Sequence, residues 1–313
     1  NSIIKIAEIN LEGKVIRKQI YSNRQLFGEE MVRYFLEAIG QFINEQLSVV
    51  KCQGISIITP GIVDTDNGII TYNSKLRLFN VPLKKLVEEK TGLPTLIEND
   101  ANSYVIAENY FGLFSKYKDM LYITLGDGVG SGIMVDGSIY RGHMGSSGEI
   151  GHTTVVLDGV RCECGNKGCL ENYVNWPTIY SKIVSALVTK GRDTVFKEIV
   201  MNDWSKLNPE VFVQAVNQGD ELATEIQEEI VEYLSIALLN VIHMFNPEVI
   251  ILNGRIVQNN PLFVEMINQR ISKKLIPVLR NKVNVQGTSL GADFDLKAPA
   301  AVLIQKKFKF KFL

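Results

Sequence analysis

The chain has 313 residues, 46% of them hydrophobic, and a formal net charge of -1 at pH 7. A chain of this length can bury a large core, and more than one domain is expected. The balanced charge excludes a global basic field that would attract nucleic acid, and no apolar run is long enough to cross a membrane. Since the sequence also begins without a signal-peptide pattern, we expect a cytoplasmic protein.

Strands and helices are predicted to alternate along the first third of the chain. Apolar-rich runs predict a strand hairpin at 2–9 and 14–20. A helical period extends over 28–48, and a short apolar run predicts a buried strand at 55–59. The remaining elements predicted here are a helix at 83–90, a strand at 95–98 and a helix at 101–110.

The same alternation continues in the rest of the chain. Strands are predicted at 120–125, 132–135 and 248–252, and the longest helix is predicted at 220–245, opened by Asp220 as its N-cap. This order indicates an α/β protein in two lobes. The C-terminal tail alternates lysine with phenylalanine, which favours an edge segment guarded by charge over an arm for membranes or nucleic acid.

One histidine and three cysteines cluster in the middle of the chain: His152, Cys162, Cys164 and Cys169, out of three histidines and four cysteines in all. Such a set is typical of a closed tetrahedral zinc site. The alternative is a disulfide plus a free thiol. It is disfavoured because Cys162 and Cys164 are too close in sequence to bridge easily, and because three is an odd number. The sequence therefore predicts a structural zinc ion.

A glycine-rich segment follows the strand predicted at 120–125. Gly126, Gly128, Gly130 and Gly132 would let backbone N–H groups approach a phosphate closely. The alternative is a plain turn between two strands, and the sequence alone leaves the two interpretations equal.

Three carboxylates are candidate ligands or catalytic groups. Asp100, preceded by Asn99, lies where a strand runs into a helix. Its carboxylate can act as a general base toward a sugar hydroxyl, or it can cap the helix. Glu149 and Glu171 flank the predicted zinc ligands and can accept hydrogen bonds from adjacent hydroxyls, although each in isolation is typical of a solvated surface charge.

These motifs together resemble the signature of the ROK family, which comprises repressors, open reading frames and sugar kinases. The resemblance rests on 148–152 and 162–171, with supporting motifs at 59–64, 94–102, 126–137, 140–142 and 245–248. It covers essentially the whole chain and is closest to the sugar-sensing domain of the family's repressors.

The resemblance implies the two-lobed actin-like ATPase (ribonuclease H-like) fold. The N-terminal lobe would comprise 1–110, with a C-terminal helix at about 292–306 returning to it. The C-terminal lobe would comprise 111–291 and carry the zinc-binding loop at 148–171. The resemblance also implies a homodimer.

Family roles transfer by resemblance to matching positions of this sequence. Asn99 and Asp100 correspond to the sugar-binding asparagine and the catalytic aspartate. Glu149 and Glu171 correspond to acceptors of sugar hydroxyls. His152 corresponds to a residue that ligates zinc and also faces the sugar, and the remaining zinc ligands correspond to Cys162, Cys164 and Cys169.

Two departures from the kinases of the family weaken the case for ATP. Those kinases open with a strand ending in Asp-x-Gly-Gly-Thr, a loop that handles phosphates and magnesium, whereas this chain begins at what corresponds to their second strand. They also carry Gly-Gly after the strand at 248–252, where this chain has Asn253, Gly254 and Arg255. Gly254 remains a candidate for contact with a nucleotide.

We therefore expect the sugar-binding effector domain of a ROK-type transcriptional regulator. Its monosaccharide effector would bind here, and DNA would bind only through a helix-turn-helix preceding this chain. The alternative is an ATP-dependent hexose or hexosamine kinase, with ATP and magnesium as cofactors and Asp100 as the general base.

Overall fold

A computed structural model describes residues 3–22, 25–45, 52–190, 193–201, 203–291 and 294–308. The chain forms two compact units. The first comprises Asn1–Lys118, Gly132–Ser147 and Ser289–Leu313, and the second comprises Asp119–Ser131 and Gly148–Thr288. Among the described residues, no helix combines the length and the apolar composition that a membrane span needs.

Among the described residues, the strands of the first unit include three small groups. An antiparallel pair is formed by β1 (Ile3–Ile9) and β2 (Val15–Ser22), and a parallel pair by β3 (Ile55–Thr59) and β7 (Thr95–Asn99). A three-stranded antiparallel sheet has the order β4 (Ile62–Asp64), β5 (Ile69–Asn73) and β6 (Leu78–Val81).

Helices of the first unit cover these strands with apolar faces. Ile39 of helix α1 (Gly28–Asn44) and Val87 of helix α2 (Leu83–Thr91) share a core with Val63, Ile70 and Ile97. Helix α3 (Asp100–Phe111) follows β7 directly and packs against the C-terminal helix α10 (Phe294–Phe308). Since α10 also contacts β7, the C-terminal helix packs against both elements that meet at this junction.

Three parallel strands of a five-stranded sheet form the core of the second unit. Strand β11 (Val249–Asn253) lies between β8 (Met120–Leu125) and β12 (Asn284–Gly287), parallel to both. Every residue of β11 is buried, as expected for a central parallel strand. Strand β9 (Val129–Val135) lies next to β8 in the sheet, and the short β10 (Ser138–Ile139) pairs with the end of β9. The boundary between the units falls within β9, so its residues from Gly132 onward and β10 are part of the first unit.

Helices complete the second unit. The longest, α8, is capped by Asp220, whose carboxylate accepts the Ala223 N–H at 2.8 Å, as predicted. The six helices described here are α4 (Glu171–Val174), α5 (Trp176–Lys190), α6 (Phe196–Ile199), α7 (Pro209–Asn217), α8 (Glu221–Phe245) and α9 (Pro261–Lys274).

Several predicted boundaries differ from those observed. The helix predicted at 28–48 ends at Asn44, and 46–48 lie outside the described residues. The strand predicted at 132–135 begins at Val129, whose side chain is buried. The tail is helical to Phe308, and 309–313 lie outside the described residues.

The division into lobes also differs from the sequence interpretation. Residues 132–147 belong to the first unit, although a contiguous C-terminal lobe was predicted to contain them. Backbone contacts explain the difference. A Cβ on Gly132 would lie 2.5 Å from the carbonyl oxygen of Ala101, and one on Gly145 would lie 2.9 Å from that of Val63. Only glycine allows the segment to pack this closely against the first unit.

Candidate functional site

Asn99 and Asp100 lie at the junction of β7 and α3. Asn99, not Asp100, is the N-cap, because its Oδ1 accepts the Asn102 N–H at 3.1 Å. Asn99 Nδ2 donates to the carbonyl of Gly61 at 3.0 Å, which fixes the side chain at both ends. The capping alternative for Asp100 is therefore wrong, and its carboxylate stands in the first turn of the helix.

The carboxylate of Asp100 is held in an environment that disfavours its charge. Its Oδ1 accepts the Ala101 N–H at 2.9 Å. Burial raises the pKa of Asp100, and the Ala101 N–H and the charge of Lys75 oppose that rise only in part. A raised pKa suits both a proton acceptor and a strong hydrogen-bond partner for a hydroxyl.

The turn after β3 is fastened beside this junction. Parallel pairing places Thr59 opposite Asn99 at the carboxyl ends of the strands. Gly61 has a φ of +96°, and a Cβ there would lie 2.3 Å from the carbonyl oxygen of Tyr72. Asn73 Nδ2 donates to the carbonyl of Pro60 at 2.8 Å. Two asparagines therefore hold the Pro60–Gly61 turn in place.

The glycine-rich segment is mostly strand. Residues 126–128 form the turn between β8 and β9, and the Gly126 N–H donates to the carbonyl of Gly128 at 3.0 Å. Gly130 and Gly132, predicted as part of a phosphate loop, lie within β9 instead. The close approach of Ala101 to Gly132 explains the second of these glycines. Phosphate contact by any of the four glycines stays a prediction.

A carboxylate occupies one backbone donor of this segment. Glu171 Oε2 accepts the Val129 N–H at 2.9 Å. Glu171 is half-buried at the start of α4 and is therefore not the solvated surface charge of the alternative interpretation. The interaction places negative charge against an N–H group that a phosphate cradle would use.

Glu149 belongs to a segment pressed against β9. Gly148 has a φ of +86°, and its Cβ would lie 2.5 Å from the carbonyl oxygen of Ser131. A Cβ on Gly151 would lie 2.5 Å from that of Val129. Ser131 Oγ donates to the carbonyl of Gly148 at 2.5 Å. These contacts fix the backbone on both sides of Glu149, whose side chain is exposed.

The predicted metal ligands do come together. One ligand atom from each of His152, Cys162, Cys164 and Cys169 lies within 4.8 Å of the others. Cys162 Sγ is 3.7 Å from His152 Nδ1, and Cys164 Sγ is 3.7 Å from Cys169 Sγ. A tetrahedron of sulfur ligands at about 2.3 Å from zinc has edges of about 3.8 Å. The donor set and its spacing therefore fit a tetrahedral ion, and the four residues could hold one.

The thiols of this cluster titrate differently. Burial, reinforced by the neighbouring thiols, raises the pKa of Cys169 to about 12. The Asn166 N–H lowers the pKa of the exposed Cys164. A bound cation would hold both as thiolates, because metal ligation requires the deprotonated form.

Gly254 is explained by packing. Its φ is +150°, and a Cβ would lie 2.1 Å from the carbonyl oxygen of Leu125 at the end of β8. The next residue, Arg255, forms an ion pair with Glu210 of α7. Although burial opposes the effect, this guanidinium lowers the pKa of Glu210. Contact of Gly254 with a nucleotide stays a prediction.

Sequence reasoning assigned no role to Glu98, although it directly precedes Asn99. Glu98 is only 3% exposed, and its Oε1 accepts the Asn99 N–H at 3.0 Å. The available signal was a carboxylate at the end of the strand predicted at 95–98, because a carboxylate that is buried with its strand must have a partner.

Comparisons with known proteins identify the family of this chain. The profile of the ROK family matches residues 3–305. A xylose repressor from Caldicellulosiruptor bescii is 31% identical over 274 residues, covering 87% of this chain and 68% of the repressor. A glucokinase from Thermotoga maritima is 27% identical over 306 residues, covering 95% of this chain and 93% of the glucokinase.

The similar solved structures also include both a transcriptional regulator and a glucokinase. A ROK family transcriptional regulator, described as a homologue of the Escherichia coli MLC protein, superposes with a TM-score of 0.86 at 26% identity, covering 96% of this chain and 75% of the regulator. A ROK family glucokinase from Streptomyces griseus, in complex with glucose and AMPPNP, superposes with a TM-score of 0.82 at 25% identity, covering 96% and 95%.

Proposed function

The chain belongs to the ROK family and has its actin-like ATPase fold, and we propose that it is the sugar-binding effector domain of a transcriptional regulator. In this proposal a monosaccharide binds to the chain, and DNA is contacted by a helix-turn-helix outside it. We further propose that the protein works in the cytoplasm as a homodimer. The similarity to a xylose repressor and to a ROK regulator structure supports the regulatory role.

The hydrogen bond from Val129 N–H to Glu171 Oε2 carries the choice of regulator over kinase. Phosphate cradles bind through several backbone N–H groups that point at the ligand. Here the Gly126 N–H is taken by Gly128 and the Val129 N–H by a carboxylate. The exposed carboxylate of Asp127 adds further negative charge. Phosphoryl transfer depends on neutralising negative charge, so this segment is poorly suited to it.

We propose Asn99, Asp100, Glu149, His152 and Glu171 as sugar ligands. Carboxylates accept short, charge-assisted hydrogen bonds from hydroxyls. Support in the first unit comes from Asp100. Asn99 caps the helix in its place, and the Ala101 N–H holds its carboxylate. Support in the second unit comes from the glycine contacts that hold the backbone on both sides of Glu149.

We propose that the four-residue cluster binds one structural zinc ion. The ion would supply no chemistry to the sugar and would fix the loop through His152, Cys162, Cys164 and Cys169. The spacing of the sulfur atoms supports zinc over a disulfide, since Cys164 Sγ and Cys169 Sγ are 3.7 Å apart while a disulfide bond is about 2.05 Å long.

An ATP-dependent sugar kinase is the second candidate. The raised pKa of Asp100 favours it, because a carboxyl perturbed in this way is suited to accept a proton from an attacking hydroxyl. The similarity to glucokinases supports the same interpretation. In that case ATP with magnesium would be the phosphoryl donor.

A coupled turnover assay separates the two candidates. The chain is mixed with magnesium ATP and a panel of D-xylose, D-glucose and N-acetyl-D-glucosamine, and sugar binding is measured in parallel by calorimetry. We expect binding of at least one sugar and no phosphorylation. Turnover of about one per second or faster would replace the regulator proposal with the kinase.

The variant Glu171→Gln sharpens this assay. It removes the charge beside the Val129 N–H but keeps an acceptor oxygen. We expect weaker sugar binding and still no turnover, while the exposed Glu163→Gln in the same loop changes neither. Turnover gained by Glu171→Gln would show that one carboxylate alone suppresses a working phosphate site.

A further inference from the structure

An ion pair with a buried carboxylate lies next to the proposed sugar ligands of the first unit. Glu98 Oε2 pairs with Arg141 Nη2, and the Glu98 side chain is 4% exposed while that of Arg141 is 36% exposed. The other oxygen, Oε1, accepts the Asn99 N–H at 3.0 Å and Asn102 Nδ2 at 3.3 Å. One carboxylate therefore joins Arg141 to the residues on both sides of Asp100.

Arg141 is presented by a loop that is itself fixed within the first unit. Its carbonyl accepts the Ser147 N–H at 3.2 Å, and Ser147 Oγ donates to the carbonyl of Tyr140. Gly145 packs against the carbonyl of Val63, where a Cβ would lie at 2.9 Å. The backbone that carries Arg141 is therefore held in a closed loop at 140–147.

Stability alone is a poor reason for this pair. Removing a carboxylate and a guanidinium from water costs about as much as their attraction returns, so buried ion pairs are weak stabilisers. In the part of the chain that the structure describes, Arg141 Nε and Asn102 Oδ1 are also buried without a hydrogen-bond partner. Such atoms add a further cost. The arrangement fixes geometry at the expense of stability.

We propose that Arg141 is a positioning residue for Asn99 and Asp100 that acts through the carboxylate of Glu98. The effect of this positioning on sugar affinity rests on the proposed sugar-binding function. The charged acceptor strengthens the bond to the Asn99 N–H. Asn99 in turn caps α3 and holds the carbonyl of Gly61, so its backbone sets the direction in which Asp100 leaves the strand.

Three variants separate positioning from bulk stability. Arg141→Met removes the charge and keeps much of the length, but it leaves the Glu98 carboxylate buried and unpaired, which lowers stability. The double variant Glu98→Gln with Arg141→Met removes that unpaired charge. Arg141→Lys keeps a cation within reach of Glu98. Asp295→Asn is the matched control, because it breaks the Lys5–Asp295 ion pair in the same unit.

Thermal unfolding, calorimetry with the same three sugars and amide hydrogen exchange at 99–103 are measured for each variant. We expect the double variant to recover most of the thermal midpoint lost in Arg141→Met. Its affinity for sugar should still be lower by about tenfold or more, since a charge-assisted interaction is lost. Its amide hydrogens at 99–103 should also exchange faster. Arg141→Lys should keep most of the wild-type sugar affinity and most of the slow exchange at 99–103. Asp295→Asn should alter neither the affinity nor the exchange.

Wild-type affinity together with wild-type exchange in the double variant would overturn the positioning role. A loss of affinity in Asp295→Asn as large as in the double variant would overturn it too, because the effect would then be general. A wild-type chain that binds none of the sugars would instead overturn the proposed function, and the exchange rates at 99–103 would still decide the role of Arg141.

Discussion

The chemistry of Asp100 shows how a neighbouring residue changes a side chain's role. A carboxylate at the start of a helix ordinarily caps it, and here Asn99 performs that task. Asp100 therefore costs the fold stability, because burial raises its pKa and disfavours the ionised form. Residues held at such a cost are typical of functional sites.

Asp100→Asn tests this conclusion. The asparagine mimics the protonated carboxyl and can still accept the Ala101 N–H. Because the folded pKa is raised, the ionised form is penalised above it, so the variant should be more stable than the parent at neutral pH. The difference should shrink as the pH falls through the raised pKa of Asp100. Thermal unfolding across pH measures it.

The same variant should lose sugar affinity by about 1.5–3 kcal/mol, the usual worth of a hydrogen bond to a charged group. The exposed Asp66→Asn is the control and should change neither property. An Asp100→Asn protein that binds sugar normally would remove Asp100 from the proposed ligands. A less stable variant at neutral pH would contradict the burial argument.

At the scale of elements, the long, strongly patterned segments could be predicted from the sequence. Helix α8 and strand β8 were found where their patterns placed them. The sheet of β4, β5 and β6 was missed, because β4 and β6 have only three and four residues and β5 does not form a sheet without them. They are separated by turns, such as the one at Arg77 with a φ of +52°, that hide any alternation.

The cluster of candidate metal ligands was predictable because such ligands are recognised by residue type and spacing alone. Its attachment to β9 was not, since the glycines at 148 and 151 reveal their purpose only when the opposing carbonyls are known. The cluster was identified from residues that are close in sequence. The contacts that hold the backbone around Glu149 are tertiary contacts, which the sequence does not show.

Cys164→Ser should release the metal and lower the thermal midpoint, because binding free energy is folding free energy at a structural site. Mild acid should have the same effect, since protons compete with zinc for the thiolates. Metal analysis and thermal unfolding measure both. Cys52→Ser is the matched control, as Cys52 lies outside the cluster. Pure protein without zinc, or a Cys164→Ser protein that retains it, would contradict the metal assignment.

At the scale of the whole molecule, the chain passes between its two units four times, after residues 118, 131, 147 and 288. The sequence predicted a continuous second lobe over 111–291 and a C-terminal helix returning to the first, whereas the observed division differs at 132–147. The reason is physical. The close packing of Gly132 on Ala101 joins residues far apart in sequence, and no local pattern encodes such a contact.

The proposed function predicts which ligands raise the thermal stability of the whole chain. A ligand that binds only the folded state stabilises it by about 2.7 kcal/mol when present at about one hundred times its dissociation constant. We therefore expect the effector sugar to raise the thermal midpoint by several degrees in a concentration-dependent way. Magnesium ATP should leave the midpoint unchanged, because the Gly126 and Val129 N–H groups are already occupied.

A thermal-shift titration with each sugar, with magnesium ATP and with both together tests this prediction. The variant Asp100→Asn serves as the control, since it should keep its fold but lose the sugar-dependent shift. A shift with magnesium ATP alone would show a nucleotide site that the glycine segment was argued to lack. A larger shift with both ligands than with the sugar alone would favour the kinase, because it would mean that nucleotide and sugar bind the same folded chain together.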